Sequence, residues 1–152
     1  MQFISSKQTN YDLIVYLSSE TPKRDQFLVG EEVAVELFDG RVVVIPFGFM
    51  TDAHSTPVWL HSLLPHFDSR TNLAAIVHDY LYIHFEVFTR ERRLTDWMED
   101  QIDGGDRKFA DDAYLALMEQ MAPGHWRNKV YYRAVRMFGW VNWNRFRDEA
   151  IK

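Results

Sequence analysis

The chain has 152 residues, of which 47% are hydrophobic and 15% aromatic, so it can bury a core and is not an intrinsically disordered protein. Its net charge of −5 argues against a protein whose main partner is nucleic acid, and the absence of cysteine excludes disulfides and thiolate metal sites. The N-terminus lacks a signal-peptide pattern, and no apolar run reaches the roughly 20 residues that a membrane helix needs. We therefore expect one soluble domain spanning residues 1–152.

The first third of the chain predicts a small antiparallel sheet within residues 27–47. Three runs rich in β-branched and aromatic residues support it: Phe27–Val29, Glu32–Phe38 and Arg41–Phe47. Asp39-Gly40 between the last two runs indicates a type I′ hairpin turn. Residues 1–25 are ambiguous, with Tyr11–Leu17 as a candidate strand.

Residues 48–146 predict a helical part that follows the sheet. The expected elements are a short helix ending before Pro65, a central helix, a helix ended by Pro123-Gly124 and a last helix: Val58–Leu64, Ser69–Phe88, Phe109–Met121 and Trp126–Phe146. The charged, glycine-interrupted stretch 89–107 is predicted to be a mobile excursion of the chain, or a short helix, between two main helices. The predicted fold class is α+β, a small N-terminal antiparallel sheet followed by a bundle of three main helices.

The predicted central helix carries an adjacent pair, His78 and Asp79, in an otherwise apolar stretch. Consecutive helical residues point about 100° apart, so the two side chains should have separate roles. If the 109–121 helix packs antiparallel to the central one, Asp111 can accept a hydrogen bond from His78. A carboxylate on one ring nitrogen raises the basicity of the other, which makes His78 a candidate general base and Asp111 its partner. The alternative is a polar network that locks helix packing.

Asp52 and Asp79 are hard oxygen ligands suited to Ca²⁺, with Asp52 in the loop that leaves the sheet. Together with His78 they suggest a metal-assisted hydrolase, in which the histidine activates water and the cation polarises a carbonyl. Thr51, His54 and Tyr82 are candidate pocket residues. The alternatives are a simple Asx turn at Asp52, a solvated His54, and a core or rim position for Tyr82.

The C-terminal segment 131–148 mixes basic and aromatic residues, and such a stripe can face a membrane or a nucleic acid. Helical spacing puts the aromatic residues mostly on one face, so we favour a core-packing helix with a solvated basic edge. Gly139 within it fits close helix packing.

The ordered set of motifs from about Phe27 to Trp143 resembles the domain-of-unknown-function family numbered 1353, which occurs in bacteria and their phages. The resemblance lies in GFMTD at 48–52 with Pro57, Ala75 with His78-Asp79 and Leu81-Tyr82, Arg107 with Ala110-Asp111, Tyr114 and Met118, and Ala134-Val135-Arg136 with Phe138-Gly139-Trp140. The chain departs from the family in Ala53-His54-Ser55, and its 89–106 stretch is longer than typical. The family implies no settled activity.

Shorter motifs are similar to those of small secreted prokaryotic phospholipases A2. The similar positions are Asp52 through Pro57, His78-Asp79 with Tyr82, and Asp111. This similarity implies His78 as the base, Asp111 as its partner, and Asp79 with the Asp52 loop as Ca²⁺ ligands. The disulfides and the glycine-rich calcium loop of those enzymes are missing here.

Two functional hypotheses follow from these resemblances, and a third, an intracellular binding module for a small ligand, stays open beside them. One is a phage-associated hydrolase, phospholipase-like and Ca²⁺-assisted, which would act on membrane lipid. The other is a virion protein of the tail or neck, in which the His-Asp network only stabilises the fold and the partners are other virion proteins or further copies of the chain. Both place the protein in the host cytoplasm or the phage particle, and neither predicts a nucleic-acid partner.

Overall fold

The computed structural model describes residues 1–8, 15–17, 27–51, 71–90 and 106–151. Within these ranges the chain forms six short strands and five helices. The strands are β1 Gln2–Ile4, β2 Val15–Leu17, β3 Phe27–Val29, β4 Val33–Glu36, β5 Val42–Ile45 and β6 Met50–Thr51. The helices are α1 Asn72–Ile83, α2 Phe85–Arg90, α3 Asp106–Met121, α4 Trp126–Phe138 and α5 Trp140–Ile151. The α+β class predicted from the sequence is confirmed.

The strands divide into two three-stranded sheets, whereas the sequence predicted one antiparallel sheet. One sheet has the order β1-β4-β5, with β1 parallel and β5 antiparallel to β4. The other has the order β2-β3-β6 and is antiparallel throughout. The candidate strand Tyr11–Leu17 is observed over its last three residues, and its residues 11–14 lie outside the described ranges.

The β4–β5 hairpin closes with a three-residue loop rather than the predicted two-residue type I′ turn. Leu37 N–H donates to Arg41 O at 2.7 Å, so these two residues still pair. Gly40 N–H donates to Leu37 O at 3.0 Å, and Gly40 has a φ of 88°. Three-residue hairpin loops commonly consist of a β-turn followed by one residue in the left-handed conformation, and this residue is Gly40 here.

The predicted central helix is interrupted at His84, which separates α1 from α2. Arg147 donates to the carbonyls of Tyr82 and Ile83 at the end of α1, which satisfies groups that a helix end leaves unpaired. Beyond the break, Phe85 and Phe88 turn into the core and pack against Phe109. The break therefore lets a second apolar face reach α3.

The predicted last helix also divides in two, with Gly139 between α4 and α5. A Cβ atom at Gly139 would clash with the Val135 carbonyl oxygen of α4 and would lie 2.5 Å from the Tyr82 hydroxyl oxygen of α1, so a residue without a side chain is needed where these two helices meet. The close helix packing predicted at this residue is confirmed. The 109–121 helix is confirmed as α3, which begins three residues earlier, at Asp106.

α1 is the central element of the helical part. It packs against α3, α5 and α2, and it also contacts β5 and β6. Its buried residues join those of both sheets and of α3 in one apolar cluster. The predicted helix 58–64 and most of the 89–107 excursion lie outside the described residues. Among the residues that are described, no helix is long and apolar enough to cross a membrane.

Candidate functional site

The candidate site is centred on the carboxylate of Asp111, which is fully buried. α3 presents a stripe of buried residues to α1, and its members include Phe109, Ala110, Ala113, Tyr114, Leu117 and Met118. Asp111 follows Ala110 in this stripe, so its side chain is carried into the core with them. The sequence placed it at the edge of the buried side, and the structure places it further inside. Burying a charge at this depth requires partners.

Two donors reach one oxygen of this carboxylate from α1. His78 Nε2 lies 2.8 Å from Asp111 Oδ1, and the Tyr82 hydroxyl donates to the same oxygen at 2.7 Å. His78 and Tyr82 are four residues apart on one helix and so are neighbours on its surface, with ring centroids 4.3 Å apart. The predicted hydrogen bond between His78 and Asp111 is confirmed.

Two arginines reach the other oxygen. Arg136 Nη1, from α4, donates to Asp111 Oδ2 at 2.7 Å, and Arg107 Nη1, one turn earlier on α3, lies 3.4 Å away. Burial raises the pKa of Asp111, but hydrogen bonds from His78, Tyr82 and Arg136 outweigh it, so the pKa lies below its ordinary value. Asp111 is therefore an ionised carboxylate held by three helices.

The ionised state of Asp111 fixes the tautomer of His78. A carboxylate only accepts hydrogen bonds, so His78 Nε2 must carry a proton, and in the neutral form of the ring the lone pair is then on Nδ1. Among the described residues, no hydrogen bond reaches Nδ1, and 11% of the His78 side chain is exposed. The ring is held between Tyr82 and Tyr114, whose centroids lie 4.3 and 4.5 Å away. His78 thus has one nitrogen anchored and a basic nitrogen on its other side.

Tyr82 is buried, and it acts as a donor in this network. Burial raises its pKa far above the ordinary value, and the neighbouring charge of Asp111 adds to this effect. The same cause, burial, raises the pKa of Tyr114. The prediction that Tyr82 is a core or rim aromatic is therefore correct for the core, and its part in a pocket stays a prediction.

Asp79 has a different partner from His78, as their 100° separation predicted. Its Oδ2 accepts a hydrogen bond from Thr51 Oγ1 at 2.7 Å, which ties α1 to the end of β6. Asp52 and His54, the other predicted residues of this loop, lie outside the described residues. Thr51 is buried at the last described position before them.

A Ca²⁺ site needs six to eight oxygen ligands, and the described residues near Asp79 supply one carboxylate with one oxygen already bonded to Thr51. Within the described ranges, no three His, Asp or Glu side chains converge as a metal ion would require. The described residues therefore do not by themselves fit the predicted Ca²⁺ ligand set, and Asp52 remains a predicted ligand.

The sequence reasoning missed the two arginines. Arg107 could have been found, because it lies four residues before Asp111 on the same helix, a spacing that favours ion pairs. Arg107 also donates to Val135 O at 3.1 Å, which links α3 to the end of α4. Arg136 lies 25 residues from Asp111, and no local spacing signals its contact.

Comparison with known proteins places the chain in a family without assigning an activity. No curated protein and no solved structure matches it significantly. A family model described as "Protein of unknown function (DUF1353)" matches residues 27–135. The match begins at the first residue of β3, includes Asp111 and ends within α4, one residue before Arg136. Because this match covers well over half of the 152 residues, the chain belongs to the DUF1353 family.

Proposed function

We propose that this protein is a hydrolase of ester bonds in which His78 is the general base and Asp111 is its positioning partner. One observation carries the proposal. His78 Nε2 is held at 2.8 Å by a buried, ionised carboxylate, while its Nδ1 has no hydrogen-bond partner among the described residues. In the neutral ring this arrangement puts the lone pair on the nitrogen that does not contact Asp111, where a general base needs it.

The chemistry follows from the tautomer. His78 Nδ1 takes a proton from a water molecule as the water oxygen forms a bond to the ester carbonyl carbon. The imidazolium so formed is stabilised by Asp111, and it returns the proton to the leaving alkoxide as the carbon–oxygen bond breaks. Bound Ca²⁺ would supply polarisation of the carbonyl oxygen. No proton transfer described here depends on it.

Arg136 positions Asp111 and also reduces the effect of the Asp111 charge on His78. Its guanidinium shares the charge of Asp111 through Oδ2, so less of that charge acts on the imidazole. Oδ1 still accepts from His78 and Tyr82 together, and this fixes the ring orientation. We therefore expect Asp111 to contribute more through orientation than through increased basicity.

The test is hydrolysis of a short-chain p-nitrophenyl ester by the wild type, His78→Ala and His84→Ala. His84 is the matched control, because it follows the C-terminal end of the same helix and packs on Tyr80 and Phe49 instead of contacting Asp111. We expect His78→Ala to lose at least 100-fold in kcat/KM, since general-base catalysis contributes on the order of 10²–10⁴. Added imidazole should restore part of that rate. His84→Ala should keep the wild-type rate if it remains folded.

A second candidate function is favoured by the saturation of Asp111. Four donors from three helices surround its two oxygens, and such a fully satisfied buried network stabilises the packing of those helices. In this role the chain would be a structural protein of a virion tail or neck, assembled with other virion proteins or with itself. An inactive wild type, with His78→Ala changing only the unfolding free energy, would favour this role and contradict the hydrolase.

A further inference from the structure

The junction of α4 and α5 exposes four large apolar side chains within five residues. Met137, Phe138, Trp140 and Val141 are exposed by 65%, 46%, 55% and 54% respectively. We refer to these four residues as the α4–α5 corner. Single exposed apolar residues are ordinary, but a contiguous group on a folded surface commonly marks an interaction site. The prediction that the aromatics of this segment pack into the core holds for Tyr131 and Trp143 and is wrong for Phe138 and Trp140.

The corner is fixed in place by the core beneath it. Arg107 donates to the carbonyls of Val135 and Arg136, at 3.1 Å for the shorter contact, and Arg136 donates to Asp111. Gly139, in the middle of the corner, lies against the Tyr82 hydroxyl. These contacts occupy the inward side of the junction, and the four apolar side chains are exposed on its outer side.

The positive charge of the chain is concentrated around the same corner. Residues 126–147 contain six of the 17 Lys and Arg residues and none of the 22 acidic ones, although the whole chain has a net charge of −5. Arg136 and Arg147 are engaged by Asp111 and Glu86. Lys129, Arg133 and Arg145 are exposed. The surface around the corner is therefore basic on an acidic protein.

Helical spacing aligns these exposed cations with the apolar residues. Lys129, Arg133 and Met137 follow at intervals of four on α4, and Val141 and Arg145 do so on α5. The first acidic residue after the corner is Asp148, eight residues beyond Trp140, which is roughly 12 Å along the helix. Along the two helices, the exposed apolar residues thus lie between cations that precede them on α4 and a cation that follows them on α5.

We infer that the α4–α5 corner docks on a lipid bilayer that carries anionic headgroups. The exposed side chains of Met137, Phe138 and Val141 can enter the boundary of the acyl chains, and Trp140 suits the headgroup level. The cations one helical turn away, Arg133 and Arg145, suit lipid phosphates and other anionic groups. Nucleic acid fits less well, because Met137 and Val141 offer bases neither stacking nor hydrogen bonds. The inference rests on this surface alone and does not depend on the hydrolase proposal.

The test is cosedimentation of the full chain with sucrose-loaded vesicles. Vesicles of phosphatidylcholine with 30% phosphatidylglycerol should bind the wild type at least tenfold more tightly than pure phosphatidylcholine, and salt should weaken that binding. The double variant Phe138→Ala/Trp140→Ala should lose binding to both. Arg133→Gln/Arg145→Gln should keep weak binding and lose the preference for the anionic lipid.

Two controls separate this inference from the others. Phe47→Ala removes an exposed phenylalanine of the sheet region, outside the corner, and should bind vesicles like the wild type. His78→Ala should also bind normally, so a failure of the hydrolase proposal leaves this result untouched. Circular dichroism should show that each variant is folded.

Three outcomes would overturn the inference. The first is wild-type protein that stays in the supernatant with both vesicle types. The second is binding that the corner variants retain. The third is a wild type that does not bind vesicles but forms a concentration-dependent dimer, seen by light scattering, which the Phe138→Ala/Trp140→Ala variant does not form. A second copy of the chain would then cover the corner.

Discussion

Asp111 and Asp112 are consecutive carboxylates on α3 with similar local partners and different surroundings. Each accepts a tyrosine hydroxyl at 2.7 Å, from Tyr82 and Tyr132 respectively, and each has a basic residue four positions earlier. Asp111 is fully buried, whereas the Asp112 side chain is 31% exposed. A turn of about 100° on the helix therefore decides whether a carboxylate links three helices or joins a surface pair.

The difference between the two carboxylates has a physical consequence. Water screens the pair of Asp112 with Lys108, and exposed pairs of this kind contribute about 0–1 kcal/mol. Asp111 has no access to water, so every donor around it is needed to keep its charge stable in the core. The four predictions below test this contrast in order of decreasing effect.

The largest effect should come from Asp111→Asn compared with Asp112→Asn. An amide at 111 keeps the shape but loses the charge that Arg136 and Arg107 require, and its NH₂ group must face some of the existing donors. We expect a loss of about 3–5 kcal/mol in the free energy of unfolding, as for other broken buried ion pairs. Asp112→Asn should cost about 1 kcal/mol or less. Urea unfolding measures both, and equal costs would remove the contrast.

The second prediction removes the charge of Asp111 with protons. Its folded-state pKa lies below the ordinary value of 3.8, so its contribution to stability is complete above that value and is lost as the pH falls through the folded pKa. The wild type should lose stability on acidification below about pH 4 more steeply than Asp111→Asn, which has no such group. Asp112→Asn retains Asp111 and should keep the steeper loss. Parallel slopes for the wild type and Asp111→Asn would contradict the lowered pKa.

The third prediction concerns Gly139→Ala. The added methyl group would clash with the Val135 carbonyl oxygen and would lie 2.5 Å from the Tyr82 hydroxyl oxygen, so the backbone at Gly139 must shift, and either α1 and α4 move apart or Tyr82 leaves Asp111. Overpacking of this kind costs about 1–3 kcal/mol. The double variant Gly139→Ala/Tyr82→Phe removes the hydroxyl oxygen and keeps the contact with the Val135 carbonyl, so its cost should be smaller than the sum of the two single costs without falling to that of Tyr82→Phe. Additive costs would show that the contact with Val135, and not the one with Tyr82, sets the cost of the methyl group.

The sequence predicted the centre of this site because its signals are local. The apolar period of α3 placed Asp111 at the edge of the buried side, and the assumption of antiparallel packing then brought it to His78. Arg136 and the parallel pairing of β1 with β4 were missed, because both join segments distant in the chain. Such contacts depend on how elements pack, and no spacing within one element encodes them.

The helix breaks at His84 and Gly139 were missed for a different reason. Phe85 and Trp143, which follow the two breaks, are buried, so the apolar pattern continues through each of them. Periodicity reports which residues face the core and does not report a one-residue interruption of the helix. The exposed α4–α5 corner was missed in the same way, since its residues were assigned to the core on spacing alone.

The smallest expected effect separates the two tyrosine hydroxyls. Tyr82→Phe removes one of the four donors to a buried carboxylate. Hydrogen bonds to charged groups contribute about 1.5–3 kcal/mol to stability. We expect a loss near the lower end of this range in the free energy of unfolding, because His78 still donates to the same oxygen. Tyr132→Phe removes the equivalent donor from Asp112, where water can replace it, and should cost less than about 1 kcal/mol. Unfolding in urea at neutral pH compares the two variants directly. If Tyr132→Phe costs as much as Tyr82→Phe, the hydroxyl itself and not its burial sets the energy, and the contrast between Asp111 and Asp112 would have to rest on the arginines alone.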